Sequence, residues 1–283
     1  MIKNENQHSY AIYLIVLAML CVQSGTAIAK FLFPVLGPGG TVSLRLGIAS
    51  LILLILFRVK IWGRKKSDYV LCLLYGACLA GMNLSFYYAI KLIPMGLGTT
   101  IEFVGPLTLA MMLSRKYTDF IWAGLAVLGI VFIAPWNHSS GVSLMGILLA
   151  VLAGAFWAGY ILCGKLVSHR MDSIDAVALG MAFAFLLVLP FGLNDGFFVK
   201  LNMKWLLLGI CVALLSSAIP FSLDMKAFKK VSSQTYSILM SLHPALAALS
   251  GLLFLSEHLS SLQIISVLLV IAASIGSTIT SAK

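Results

Sequence analysis

The chain has 283 residues, 61% of them hydrophobic and only 10% charged, with a mean hydropathy of +1.05. This composition excludes a soluble globular domain and describes a polytopic membrane protein whose side chains are solvated mainly by lipid. The net charge of +10 is not the footprint of a nucleic-acid partner, because the basic residues fall in short segments between apolar runs.

Residues 1–9 form a polar tail, and Tyr10 to about Leu32 is the first apolar segment. Its Ala27-Ile28-Ala29 has the form of a signal-cleavage site. The apolar run is long for a signal, however, and the tail carries one basic residue, Lys3, so a retained span is expected. Pro34 to Gly40 reads as a turn, followed by a span over about Gly40–Phe57 and a basic run holding Arg58, Lys60, Arg64, Lys65 and Lys66. Further spans are expected at about Tyr69–Leu92, Met95–Leu113, Phe120–Ala134, Leu144–Cys163, Asp175–Leu193, Lys204–Leu223, Ser233–Leu255 and Leu262–Thr280, which makes ten. The polar stretch 135–143 divides them into two halves, 1–138 and 139–283. Cys21, Cys72, Cys78, Cys163 and Cys211 all lie in apolar segments without CxxC spacing, so neither disulfides nor a metal site is expected.

With the N-terminus in the cytoplasm, 14 of the 19 Lys and Arg residues lie on the cytoplasmic side. Lys30, Lys91, Lys200 and Lys204 lie outside, and Arg45 lies within a span. This asymmetry predicts both termini in the cytoplasm. An offset of 138 residues lays 88–107 within 226–246 and pairs Ala89 with Ala227, Lys91 with Lys229 and Pro106 with Pro244. Halves of five spans enter the membrane in opposite directions. The expected fold is therefore an all-α membrane protein of ten transmembrane helices arranged as two inverted five-helix repeats, the plan of secondary transporters with a midplane site. Gly146, Ala150, Gly154 and Ala158 recur every four residues, a small-residue stripe suited to close helix packing.

Glu102 stands in the middle of the apolar stretch Met95–Met112, where an ionisable group costs roughly 2.5 kcal/mol or more and so marks a functional candidate. Pro106, four residues later, removes the N–H that would bond the Glu102 carbonyl, a helix break tolerated only against protein or a watery cavity. Pro244 is its counterpart in the second half. Other polar groups within the spans include Gln23, Lys30, Arg45, Asn83, Tyr87, Trp157, Tyr160 and His243. Such a set fits a small zwitterion, with Glu102 facing the ammonium and Lys30, Lys91 or Arg45 facing the carboxylate, because a desolvated charge needs an opposite partner. Snorkelling to the interface is the plainer reading for Lys30 and Lys91. His243 is placed to pair with Glu102 as a proton relay, against the plainer reading of a satisfied hydrogen-bonding imidazole.

Residues 19–47, MLCVQSGTAIAKFLFPVLGPGGTVSLRLG, residues 95–107, MGLGTTIEFVGPL, and stretches of 240–280 resemble the threonine/homoserine exporter family within the EamA-type drug/metabolite transporters. The resemblance covers nearly the whole chain, and the family's EF(T/V)GPL motif falls on Glu102–Leu107. It implies a multi-pass exporter of small amino acids in the bacterial inner membrane, driven by proton antiport. The substrate-binding residues would then be drawn from Glu102, Asn83, Tyr87, Lys30, Arg45, Trp157, Tyr160 and His243, with Glu102 and His243 as proton carriers. The chain departs from the family in having His243 where a Glu usually precedes the proline, and Ser256-Glu257-His258-Leu259 in place of a GE(T)L-like turn. Export of amphipathic drugs or other metabolites is the alternative within transport. The chain lacks HExxH, GxxxxGK[ST] and GxSxG, so no enzyme and no cofactor is expected. Homodimerisation is left open.

Overall fold

The computed structural model describes residues 2–113, 118–133, 143–220, 223 and 239–281, and every regular element among them is helical. A backbone surrounded by hydrocarbon has no partner but itself, so long apolar runs close their hydrogen bonds within a helix. The first half comprises α1 (Ile2–Lys30), α2 (Phe33–Leu56), α3 (Lys66–Leu92), α4 (Met95–Leu113) and α5 (Thr118–Ile133). The second comprises α6 (Leu144–Ser168), α7 (Ser173–Asn194), the short α8 (Phe197–Lys200), α9 (Met203–Ala213), α10 (His243–Leu255) and α11 (Ser261–Ser281). Among the described residues five helices are long and apolar enough to cross a membrane: Tyr10–Lys30, Phe33–Leu56, Lys66–Leu92, Leu144–Ser168 and Ile174–Asn194. Shorter apolar helices accompany them at Met203–Ala218, His243–Leu255 and Ser261–Ser277.

Several element boundaries differ from the sequence expectation, each for a local reason. Residues 34–40 do not form an open turn but belong to α2, which is broken only at Gly37, with φ +69° and ψ 166°. Pro34 sits in the first helical turn, where its missing N–H costs nothing, and glycine tolerates the left-handed φ. After the break the Asp195 carboxylate accepts hydrogen bonds from the N–H groups of Gly39 at 2.9 Å and Gly40 at 3.3 Å, capping the resumed helix. Pro106 lies inside a continuous α4, whereas Pro244 falls in the first turn of α10, after a turn at 241–242. α9 passes into a π-helical turn at Leu214–Ala218 ahead of Pro220, whose ring cannot sit against the carbonyl four residues back in a regular helix.

Lipid tails are as apolar as Leu, so close backbone contact rather than hydrophobic exclusion holds such helices together. A Cβ added at Gly76 would come 2.7 Å from the Gly180 carbonyl oxygen, and one at Gly96 2.8 Å from the Ala248 Cα. α3 thus meets α7, and α4 meets α10, at van der Waals contact. The remaining principal pairings are α2 on α7, α3 and α4 on α6, α5 on α11, and α1 on both α10 and the π-helical turn. Arg64, beyond α2, forms an ion pair with Asp175 on α7, while Asp195 reaches the start of α2. The two helices are pinned antiparallel at both ends.

Candidate functional site

Gln23 and Glu102 each stand seven residues from a helix end, at Lys30 and Met95, Arg45 stands seven from Pro38, where α2 resumes after its break, and Asn83 stands nine from Leu92. At 1.5 Å per residue the four side chains share a level roughly 10–14 Å below the face that carries Lys30. All four are buried, as is His243.

Glu102 is 7% exposed, and among the described residues nothing donates a hydrogen bond to its carboxylate. Its backbone is equally unusual. Pro106 offers no N–H to the Glu102 carbonyl, and α6 approaches that carbonyl so closely that a Cβ at Gly154 would lie 2.6 Å from the oxygen. A Cβ at Gly105 would lie 1.9 Å from the Gly154 carbonyl oxygen. The glycine stripe of α6 therefore lets two backbones touch beside the acidic side chain.

On α2 and α3, Arg45 donates through Nη2 to the Asn83 side-chain oxygen, and its guanidinium carbon lies 5.0 Å from the centre of the Tyr87 ring. Asn83 is itself oriented by donating to the Leu79 carbonyl at 2.8 Å. Arg45 Nε and the Tyr87 hydroxyl are buried without a hydrogen-bond partner among the described residues. One side of the site thus offers a cation with spare donors, and the other an anion with spare acceptors.

His243 is not hydrogen-bonded to Glu102. Its Nδ1 lies 2.9 Å from the Gln23 amide nitrogen on α1, which also donates to the His243 backbone carbonyl at 3.3 Å. Trp157 on α6 makes edge contacts with His243 at 6.3 Å between centroids and with Phe103 at 5.8 Å, forming an aromatic wall between α4 and α10. Tyr160, one turn further along α6, stacks on Tyr75 at 4.7 Å. Lys30 is paired rather than snorkelling: Nζ lies 2.5 Å from Glu257 Oε1, and Oε2 accepts from the Met95 N–H at 2.7 Å. That clasp joins the end of α1, the start of α4 and the segment after α10. The structure brings together His243, Trp157 and Phe103, with the Glu102 backbone against Gly154, and separately Arg45, Asn83 and Tyr87, while Lys30 and Tyr160 have partners elsewhere. Sequence reasoning missed the role of Gln23, although an amide within an apolar span was its signal. It also missed Glu257 and Asp195, whose partners are distant in the chain. Among the described residues no three His, Cys, Asp or Glu side chains converge as a metal site.

Long apolar helices surrounding ionisable and aromatic groups define a helical membrane protein with a polar interior, and the comparisons with known proteins place it among transporters. Residues 144–279 match the EamA-like transporter family. The chain is 41% identical over 270 residues to the threonine/homoserine exporter RhtA of Salmonella typhimurium strain LT2, covering 95% of this chain and 91% of that one. It is 40% identical over 273 residues to RhtA of Escherichia coli K12, covering 96% and 92%. The uncharacterized transporter YcbK of Bacillus subtilis is 26% identical over 233 residues, 72% of this chain and 70% of its own. A crystal structure with 17% sequence identity shares the fold, with a TM-score of 0.63 over 97% of both chains. The chain belongs to the EamA-like transporter family, as a homologue of the RhtA exporters.

Proposed function

We propose that the protein exports small zwitterionic amino acids of the threonine and homoserine type across the bacterial inner membrane, by proton antiport with alternating access. The observation that carries the reading is the presence of opposite charges at one depth: a buried Glu102 carboxylate to which no group among the described residues donates, and a buried Arg45 whose Nε has no partner among them. A zwitterion satisfies both. Its carboxylate fits Arg45, held by Asn83 and Tyr87, and its ammonium fits Glu102, with Trp157 as the wall. A proton takes the place of the ammonium when the site is empty, so one carboxylate serves either a proton or a substrate and couples their movements. The names of the RhtA relatives supply the substrate class.

Ten spans in two inverted repeats, 1–138 and 139–283, remain part of this proposal, with both termini cytoplasmic. Under a 138-residue offset α2 corresponds to α7, α4 to α10 and α5 to α11. Each of these packs on its own counterpart, as helices beside a pseudo-two-fold axis do. The outer ends of α1 and α4 are then tied by Lys30 and Glu257, a contact that has to open for release. Dimerisation is not needed by this scheme.

Efflux of labelled threonine and homoserine from proteoliposomes, with and without a pH gradient, tests the proposal. Gradient-dependent flux is expected from the wild type, and Glu102→Gln is expected to abolish the dependence while the protein remains folded. Retained coupling in that variant sinks the assignment. Flux of amphipathic cations or other metabolites instead of amino acids would favour the second reading, which the aromatic rings of Tyr87, Phe103 and Trp157 make chemically reasonable.

A further inference from the structure

Gln23 and His243 meet from α1 and α10, 220 positions apart in sequence, at 3% and 8% exposure. The Gln23 amide nitrogen lies 2.9 Å from His243 Nδ1 and 3.3 Å from the His243 backbone carbonyl oxygen. A carbonyl oxygen only accepts, so the group facing it has to be the NH2; the turned-over amide would set two oxygens against each other. The same NH2 meets Nδ1, so Nδ1 is an acceptor and carries no proton. In a neutral imidazole the proton then sits on Nε2.

We propose that Gln23 is a positioning residue that fixes His243 as the neutral Nε2–H tautomer, and that this N–H donates to the side-chain hydroxyl of a transported hydroxy amino acid. The inference rests on the export reading for its substrate, but not for its tautomer. The two ring nitrogens point in diverging directions, so Nε2 is turned away from Gln23. Among the described residues no acceptor bonds it, and Glu102 is not hydrogen-bonded to the ring. Arg45 and Glu102 match the two charged groups of a zwitterion, and a neutral donor matches its neutral oxygen. A site that donates to a hydroxyl discriminates against an analogue lacking it, because the donor is left unpaired. His243 then serves substrate selection, and proton carriage falls to Glu102 alone.

Nitrogen NMR of full-length, histidine-labelled protein reads the tautomer directly, with the His243 signal among those of five histidines identified by its loss in His243→Asn. The wild type is expected to show an unprotonated Nδ1. Gln23→Met, which keeps the length and removes the donor, is expected to give a mixture, and Gln23→Glu, which only accepts, to move the proton to Nδ1. In proteoliposomes the flux ratio of threonine to 2-aminobutyrate, its analogue without the hydroxyl, is expected to fall about tenfold in Gln23→Met, the loss of one hydrogen bond, with 2-aminobutyrate flux within about twofold. A protonated Nδ1 in the wild type, or an unchanged flux ratio once the tautomer is lost, overturns the proposal. Should either variant fail to fold, the wild-type spectrum and the ratio in the other decide. If the wild type moves neither amino acid, the export reading and the hydroxyl assignment fall together, and the spectrum alone judges the role of Gln23.

Discussion

Arg45 makes two contacts that a lysine would not reproduce together: a directional bond to Asn83 from one guanidinium nitrogen, and a planar face over Tyr87. Arg45→Lys is therefore expected to fold and to lose most amino-acid affinity, by about 1.5–3 kcal/mol or ten- to a hundredfold, the range for a charged hydrogen bond. Binding isotherms on the purified protein check this. Asn83→Leu removes the acceptor while leaving the cation buried, and is expected to destabilise the fold by about 1–3 kcal/mol, measured as a lower unfolding temperature in detergent. Arg45 was legible as a candidate from its place in an apolar run, because a charge there needs a reason. Its dependence on Asn83 was not, since the two residues are 38 positions apart and nothing local joins them.

At the level of helices, the contact between α4 and α6 is the most exacting. Gly154→Leu would push a side chain into the Glu102 carbonyl and separate the two backbones, so loss of folded protein is expected on size-exclusion chromatography, with Gly154→Ala milder. The spacing of small residues along α6 announced a packing surface, but not that the surface would land on the carbonyl released by Pro106. The break in α2 is similar. Glycine and proline at 37–40 promised a turn, yet Asp195 supplies the cap that lets the helix resume at once. Asp195→Ala is expected to lower stability by about 1 kcal/mol, as for other lost helix caps, and thermal unfolding in detergent measures it. Gly37→Ala adds strain at φ +69° and a collision with the Asp195 carboxylate, so a larger loss is expected in the same assay.

For the whole molecule, the contact between Lys30 and Glu257 ties elements of both halves across 227 positions of sequence. Exchanging the two charges in Lys30→Glu with Glu257→Lys is expected to restore part of the efflux that either single variant loses. The rescue will be incomplete, because Glu257 also accepts from the Met95 N–H and a lysine does not. The proposed topology predicts that cysteines introduced near Arg58 and near Lys200 label from opposite faces of sealed cells.

Sequence alone determined that the chain is helical and lies in a membrane, because lipid offers the backbone no other partner and the apolar runs are long enough to cross it. It also marked Glu102, Arg45 and His243 as candidates, because polar groups within apolar spans are conspicuous without any knowledge of their neighbours. Which groups meet was decided only by the tertiary structure. His243 bonds Gln23 rather than Glu102, Lys30 bonds Glu257 rather than water, and Arg45 leans on Asn83 and Tyr87. Each partner comes from another helix, and the rotation and depth of one helix against another are set by backbone contacts such as Gly105 on Gly154, which no local pattern encodes.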